Sequence, residues 1–337
     1  VTARQVLLQA GLAGAALGLA YFVWQRGPEL AADEVIAVDA AKSDLVSVRF
    51  DDDAKATWVE LGRASDENGA YVTVNLGPQD KPVHAKTPPE TAARTPARRV
   101  RGSEAAEKLM ASFTPLRASR GLGVLDAAKL KELGLDAAKL RITLTLRTGK
   151  RAFTIAPAPP GGNLPYLRDQ ASGRVFVVGR SFLSDFQAAA SMLVERKPHG
   201  FRLEEADRVQ TTLGAARREF VVVRSEDVVR LAPAATPDKP DAALKSWHDR
   251  VFSLYPAEVL GQGEVPLEGN PQVVVRLDYS ARRRHLGYLE IAKVAALATP
   301  AEGAKDTLFA RSERTLGWMK LGADAQNLVT DFPAALR

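Results

Sequence analysis

The sequence predicts an α+β protein, with an N-terminal transmembrane helix followed by two related modules of antiparallel β-hairpins and sheet with packed helices. Three observations lead there. An uncharged apolar run occupies residues 6–24. Short period-two strand patterns, paired around turn residues, fill much of the rest. The order strands, helix, hairpin, hairpin, helix occurs twice. The chain has 337 residues, 46% hydrophobic and 26% charged, which suits about two domains and excludes wholesale disorder. The expected division is an anchor over 1–26, a first module over 27–200 and a second over 201–337.

Val6 to Trp24 reads VLLQAGLAGAALGLAYFVW, with Gln9 its one strongly polar residue. As a helix it spans roughly 28 Å, close to the hydrocarbon thickness of a bilayer. Tyr21, Phe22 and Trp24 close it, where aromatic rings favour the interface. Arg4 precedes it, and Glu29, Asp33 and Glu34 follow Arg26, which favours an internal N-terminus and an external body. Small residues that a cleaved leader would place after its apolar run are replaced by that aromatic cluster. Gly11-x-x-x-Ala15 and Gly14-x-x-x-Gly18 give one helix face a shallow groove for a partner helix.

In the first module Glu34–Val38, Leu45–Phe50, Thr57–Leu61 and Tyr71–Asn75 read as strands. Asp51, Asp52 and Asp53 read as a solvated turn after the second. Residues 78–102 hold five prolines and six Lys or Arg but no Leu, Ile or Phe, so an exposed loop is expected. A helix opens at Ser103 with Leu109, Met110 and Phe113 on its apolar face. A short one follows, with Asp126 as N-cap and Gly134 just past its end. Hairpins are expected around Thr148–Lys150 and around Ser172–Gly173, then a helix from Ser181 through Leu193.

The second module repeats the order. Strands at Glu219–Arg224 and Val228–Leu231 lead to a proline-bearing stretch, Ala232–Pro240. A helix over Ala242–Leu254 places Leu244, Trp247, Val251 and Leu254 on one face. Hairpins at Gln272–Ile291 and Thr307–Lys320 and a last helix, Ala323–Phe332, complete it. Tyr166-Leu-Arg168 then Asp185-Phe186 correspond to Phe309-Ala-Arg311 then Asp331-Phe332. Divergent duplication is the expected origin.

The helix at Lys108–Phe113, Leu133-Gly-Leu-Asp136, the hairpin Arg141–Ile155 and Tyr166-Leu-Arg-Asp…Gly173-Arg-Val-Phe-Val-Val178 carry a resemblance. On these residues the chain resembles the bacterial proteins grouped as "domain of unknown function 4340". That likeness implies an envelope-facing protein, often encoded beside ABC-type export permeases and gliding-motility-like auxiliary subunits. It implies no catalytic residue.

The chain has no cysteine, which excludes disulfides, thiolate metal sites and a cysteine nucleophile. His84, His199, His248 and His285 lie far apart, and no pair has helix ligand spacing. Gly121-Leu-Gly123 lacks the third glycine of a dinucleotide loop, and no Gly-x-Ser-x-Gly elbow occurs. No metal or cofactor is therefore expected. Forty-six basic against 40 acidic residues is a mild excess, and neither nucleic acid nor a small-molecule ligand is expected. The best polar signals are basic clusters: Arg98, Arg99 and Arg101, Arg217 and Arg218, and Arg282, Arg283 and Arg284. The first and last are candidate contacts for an anion or partner, because guanidinium forks suit phosphates and carboxylates. The leading expectation is a non-enzymatic accessory or scaffold protein anchored in the bacterial inner membrane, its body in the periplasm. ABC-type permease or auxiliary subunits are its expected partners. A tethered binder of an anionic envelope polymer or lipid ranks second, an envelope hydrolase third.

Overall fold

A computed structural model describes residues 34–78, 97–158, 164–225, 228–267, 269–295, 306–332 and 336. Among them no helix is long and apolar enough to cross a membrane. The expected anchor, with Gly11, Gly14, Ala15 and Gly18, lies outside the described residues, as does His84.

Strand, rather than a balance of strand and helix, dominates. The first half contributes β1 (Val35–Val38), β2 (Leu45–Asp52), β3 (Thr57–Asp66), β4 (Gly69–Pro78), β5 (Arg98–Arg101), β6 (Leu116–Ala118), β7 (Arg120–Val124), β8 (Leu140–Leu146), β9 (Gly149–Ala156), β10 (Tyr166–Asp169) and β11 (Arg174–Val177). The second contributes β12 (Arg208–Leu213), β13 (Ala216–Ser225), β14 (Val228–Pro233), β15 (Pro256–Val259), β16 (Gln272–Ala281), β17 (Arg284–Val294), β18 (Thr307–Ser312) and β19 (Met319–Leu321). The helices are short: α1 (Glu104–Ala111), α2 (Ala127–Glu132), α3 (Arg180–Gln187), α4 (Ala189–Met192), α5 (Ala242–Phe252) and α6 (Asn327–Thr330).

The strands form two large antiparallel sheets. One has nine strands in the order β5-β4-β3-β2-β8-β9-β10-β11-β7, the other eight in the order β14-β13-β12-β16-β17-β18-β19-β15. From β4 to β7 the first order matches the second strand for strand; β5 is the extra member. β1 and β6 pair separately.

The alternation seen in the sequence sets the buried faces. Val48, Phe50, Ile142, Leu144, Phe153 and Ile155 are all buried in the first sheet. Against them lie Phe113 and the aromatic residues of α3, with Phe50 and Phe186 stacked 5.2 Å apart between ring centres and Phe113 and Phe182 5.0 Å apart. In the second sheet Val275, Leu277, Leu289 and Ile291 are buried with Leu244, Trp247 and Val251 of α5. Trp247 satisfies its indole N–H on Leu328 O at 2.9 Å. Asp126 and Asp241 cap α2 and α5 by accepting from Lys129 N (2.8 Å) and Leu244 N (2.9 Å).

Several expectations are corrected. Arg98–Arg101 are not loop but edge strand β5, hydrogen-bonded to β4. Asp51 and Asp52 belong to β2 and are buried, Asp52 accepting from Ala54 N and Lys55 N to hold the turn. The helix from Ser181 divides at Ala188 into α3 and α4. The last helix is a 3-10 turn, Ala323–Gln326, followed by the four residues of α6.

The β16–β17 hairpin turns through Arg282 and Arg283 at φ 47° and 69°. Both are left-handed positions, which favour glycine or asparagine in a two-residue turn. Arg283→Gly is expected to raise stability by about 1 kcal/mol, read as a shift in the urea midpoint at unchanged slope.

Candidate functional site: a charged cleft where the two sheets meet

Residues 192–203 carry the chain from the first sheet to the second. Their start is stitched to the strand–helix corner at 101–103. Ser103 N donates to Leu193 O (2.8 Å), Glu195 N to Arg101 O (2.9 Å), and Gly102 bridges to Val194. Their end clamps the β18–β19 turn. The Glu313 carboxylate accepts from His199 Nδ1 (3.2 Å), Gly200 N (3.3 Å) and Tyr288 N (3.0 Å). An ionised carboxylate only accepts, so Nδ1 is the protonated nitrogen of His199. Gly287 makes room for it, since a Cβ there would sit 2.4 Å from the Glu313 carboxyl carbon. Arg314 donates to Glu195, whose other oxygen accepts from Arg196 N and Lys197 N. Arg101 reaches Asp66 (3.0 Å) and Glu313 O (3.4 Å).

Behind this clamp lies an aromatic cluster. His199 stacks on Phe252 with centroids 4.4 Å apart. Tyr279 stands edge-on to His199 at 5.1 Å and packs on Phe201 at 5.3 Å. Its hydroxyl meets His248 Nε2 at 3.1 Å. Burial, with His199 and Lys245 adding to it, pushes the His248 pKa down to about 3. Burial, with Glu313 and Asp278 adding to it, pushes the Tyr279 pKa well above the usual phenol value. Both groups are therefore neutral, and they share one hydrogen bond whose direction follows the imidazole tautomer. The pair is a fixed hydrogen bond rather than an acid–base couple in the range where proteins work.

In front of the clamp the surface opens into a cleft of about 840 Å³. Its walls are the connection from Glu195 to Arg202, the amino end of α1 and the segment from Phe252 to Tyr255.

The expected anion contacts are divided by the fold. Arg98 pairs with Glu258 (3.0 Å) and Glu264 (2.7 Å) of the second half. Arg101 is spent on Asp66 and lies 4.2 Å from the centre of the Tyr71 ring. Arg99 O accepts from Gln262 N at 2.8 Å. This cluster joins the two halves. Arg282, Arg283 and Arg284 are exposed at their hairpin tip. The Arg282 N–H donates to Asp207 Oδ2 at 2.8 Å, and Arg284 pairs with Ala281 in the β16–β17 ladder. Arg217 donates to Gln210. His285 lies 3.6 Å from Asp278.

The convergence of His199, His248, Tyr279 and Glu313 escaped the sequence reading because they come from four separate segments. One signal was present: His248 follows Trp247 inside the apolar stripe of its helix. Among the described residues no three metal-ligating side chains converge. Set against known proteins, the chain matches no family model, no curated protein and no solved structure.

Proposed function

We propose that the chain is a non-enzymatic, membrane-anchored accessory or scaffold protein of an ABC-type envelope export or gliding-motility-like complex. Its two-sheet body would lie on the extracytoplasmic side. The carrying observation is the uncharged span Val6–Trp24 set directly before the body. The resemblance described above supports the partner class. The small-residue face at Gly11, Gly14, Ala15 and Gly18 supports helix docking in lipid. We also infer that the halves arose by duplication, a reading supported by their matching strand orders.

Carbonate extraction followed by cross-linking and mass spectrometry tests the reading. The full-length protein is expected in the extracted membrane, with permease or auxiliary subunits cross-linked to it. Recovery of the intact chain in the soluble fraction, or of no transporter subunit, would overturn it.

A second reading rests on the exposed Arg282–Arg284 tip, which bears three adjacent cations with no ion pair among the described residues. It is a tether for an anionic polymer or lipid headgroup. Binding to vesicles containing phosphatidylglycerol would then fall with salt and vanish when all three arginines are changed to serine.

A further inference from the structure

We propose that Asn68 is a site of spontaneous covalent modification, converting through a cyclic imide to aspartate and isoaspartate, and that the isoaspartate form loosens the hold of Asp66 on Arg101. The proposal uses only the body of the protein and stands apart from the membrane reading.

Five asparagines occur in the chain, at 68, 75, 163, 270 and 327. Only Asn68 precedes a glycine; the others precede leucine or proline. The following residue matters because its backbone nitrogen is the nucleophile. That nitrogen must swing onto the side-chain carbonyl carbon of the asparagine, and a Cβ on the same residue obstructs the approach. Gly69 has none, and no atom lies within 4 Å of the place where one would stand. The matching connection of the second half, between β13 and β14, reads Glu226-Asp227 and lacks the pair.

The fold leaves Asn68 and Gly69 accessible. Glu67 and Asn68 form the turn between β3 and β4, and Asp66 opposite Gly69 is the last pair of that ladder. Residues 66–70 are all exposed. The Asn68 carboxamide makes no hydrogen bond among the described residues; its backbone N–H donates to Asp66 Oδ1 at 2.8 Å. An exposed end rung frays at small cost. Fraying frees the Gly69 nitrogen, and the glycine rotates to meet the side chain.

The Gly69 nitrogen gives up its proton and bonds to Asn68 Cγ. The Cγ–Nδ2 bond breaks, and ammonia leaves with that proton. Water then opens the five-membered imide at one of its two carbonyl carbons. Opening at Cγ gives aspartate with the main chain as before. Opening at the main-chain carbonyl leaves Gly69 joined through Cγ, which is isoaspartate. The sum is one amide and one water to one carboxylic acid and one ammonia.

The two products act differently on Asp66. Its Oδ1 takes the Asn68 N–H, and its Oδ2 pairs with Arg101 at 3.0 Å. The Arg101 side chain is 10% exposed and also reaches Glu313 O at 3.4 Å in the second half. Aspartate at 68 keeps these atoms in place. Isoaspartate adds one main-chain atom inside a two-residue turn, breaks the register of Asp66 with Gly69 and draws Asp66 off Arg101.

The purified full chain, aged in mildly alkaline buffer, is digested and mapped by mass spectrometry, with isoaspartate assayed by enzymatic methylation. Asn68 is expected to convert at a rate within about tenfold of a free peptide spanning 64–72, since the end rung opens easily. Asn75, Asn270 and Asn327 are expected to stay intact. Asn68→Ser, which suits a turn and cannot form the imide, abolishes the conversion. Hydrogen exchange then compares the aged protein with the parent and with Asn68→Asp. Exchange over 98–101 is expected to quicken about tenfold in the isoaspartate form, through loss of a contact to a charged group, and to stay unchanged in Asn68→Asp. Asn68 left intact after the free peptide has converted overturns the proposal. So does equal conversion of the other asparagines, or unchanged exchange in the isoaspartate form.

Discussion

Changing His248→Met together with Tyr279→Leu is expected to flatten the acid limb of the stability curve while keeping the fold. His248 is neutral in the folded state, with its pKa lowered from 6.5 to about 3 by burial. Above pH 6.5 it is unprotonated in both states and contributes no pH dependence. As pH falls below 6.5 the unfolded chain takes up a proton that the folded chain refuses. Stability is then lost at about 1.4 kcal/mol per pH unit until the folded pKa is reached, some 4–5 kcal/mol in all. The replacements are those of the other sheet. Met110 stands seven residues after the N-cap of α1, as His248 does in α5. Leu144 stands two before the last paired residue of its hairpin strand, as Tyr279 does. Both are buried there without a polar partner. Denaturant titrations from pH 7 to 3 should show the steep loss in the parent and most of it gone in the double variant. An unchanged slope would contradict the assignment of His248. His248→Met alone should cost about 1–3 kcal/mol at neutral pH, because it leaves the Tyr279 hydroxyl buried and unpaired.

Glu313→Ala is expected to destabilise the protein by about 3–5 kcal/mol. The carboxylate, 7% exposed, gathers donors from His199, Gly200 and Tyr288. Its removal strands all three and opens a void beneath Gly287. Glu313→Gln retains an acceptor and should cost less. Chemical denaturation measures both. A loss for Glu313→Ala within about 0.5 kcal/mol of zero, the range of ordinary surface changes, would mean that the clamp is not holding the turn.

The strands legible in the sequence are those with one clean buried face. Leu45–Phe50 and Arg141–Arg147 alternate over a full strand length, and the two pair with each other at the centre of the nine-stranded sheet. The strands that escaped are edges or polar. β5 reads Arg-Arg-Val-Arg and follows a proline-rich stretch; β7 contains two glycines; β12 presents arginine, glutamine and threonine. β5 and β7 are ordered by strands far away in the chain, and β12 by the adjoining β13 and the distant β16, so local pattern carries little of the signal. The same holds for the cleft. Turn and cap residues such as Asp126 act within four positions and were readable. His199 and Glu313 meet across 114 positions, and nothing short of the strand order brings them together.

The backbone stitching between 101–103 and 193–195, with the Gln262–Arg99 bond and the Arg98 ion pairs, bears on how the body behaves as matter. A fragment ending near residue 200 would keep its connection but lose the turn that the connection grips. A fragment beginning there would carry Glu258 and Glu264 without their cation. Each would offer a raw β edge to its neighbours in solution and self-associate. Neither half is autonomous, and the body should melt as a single cooperative unit.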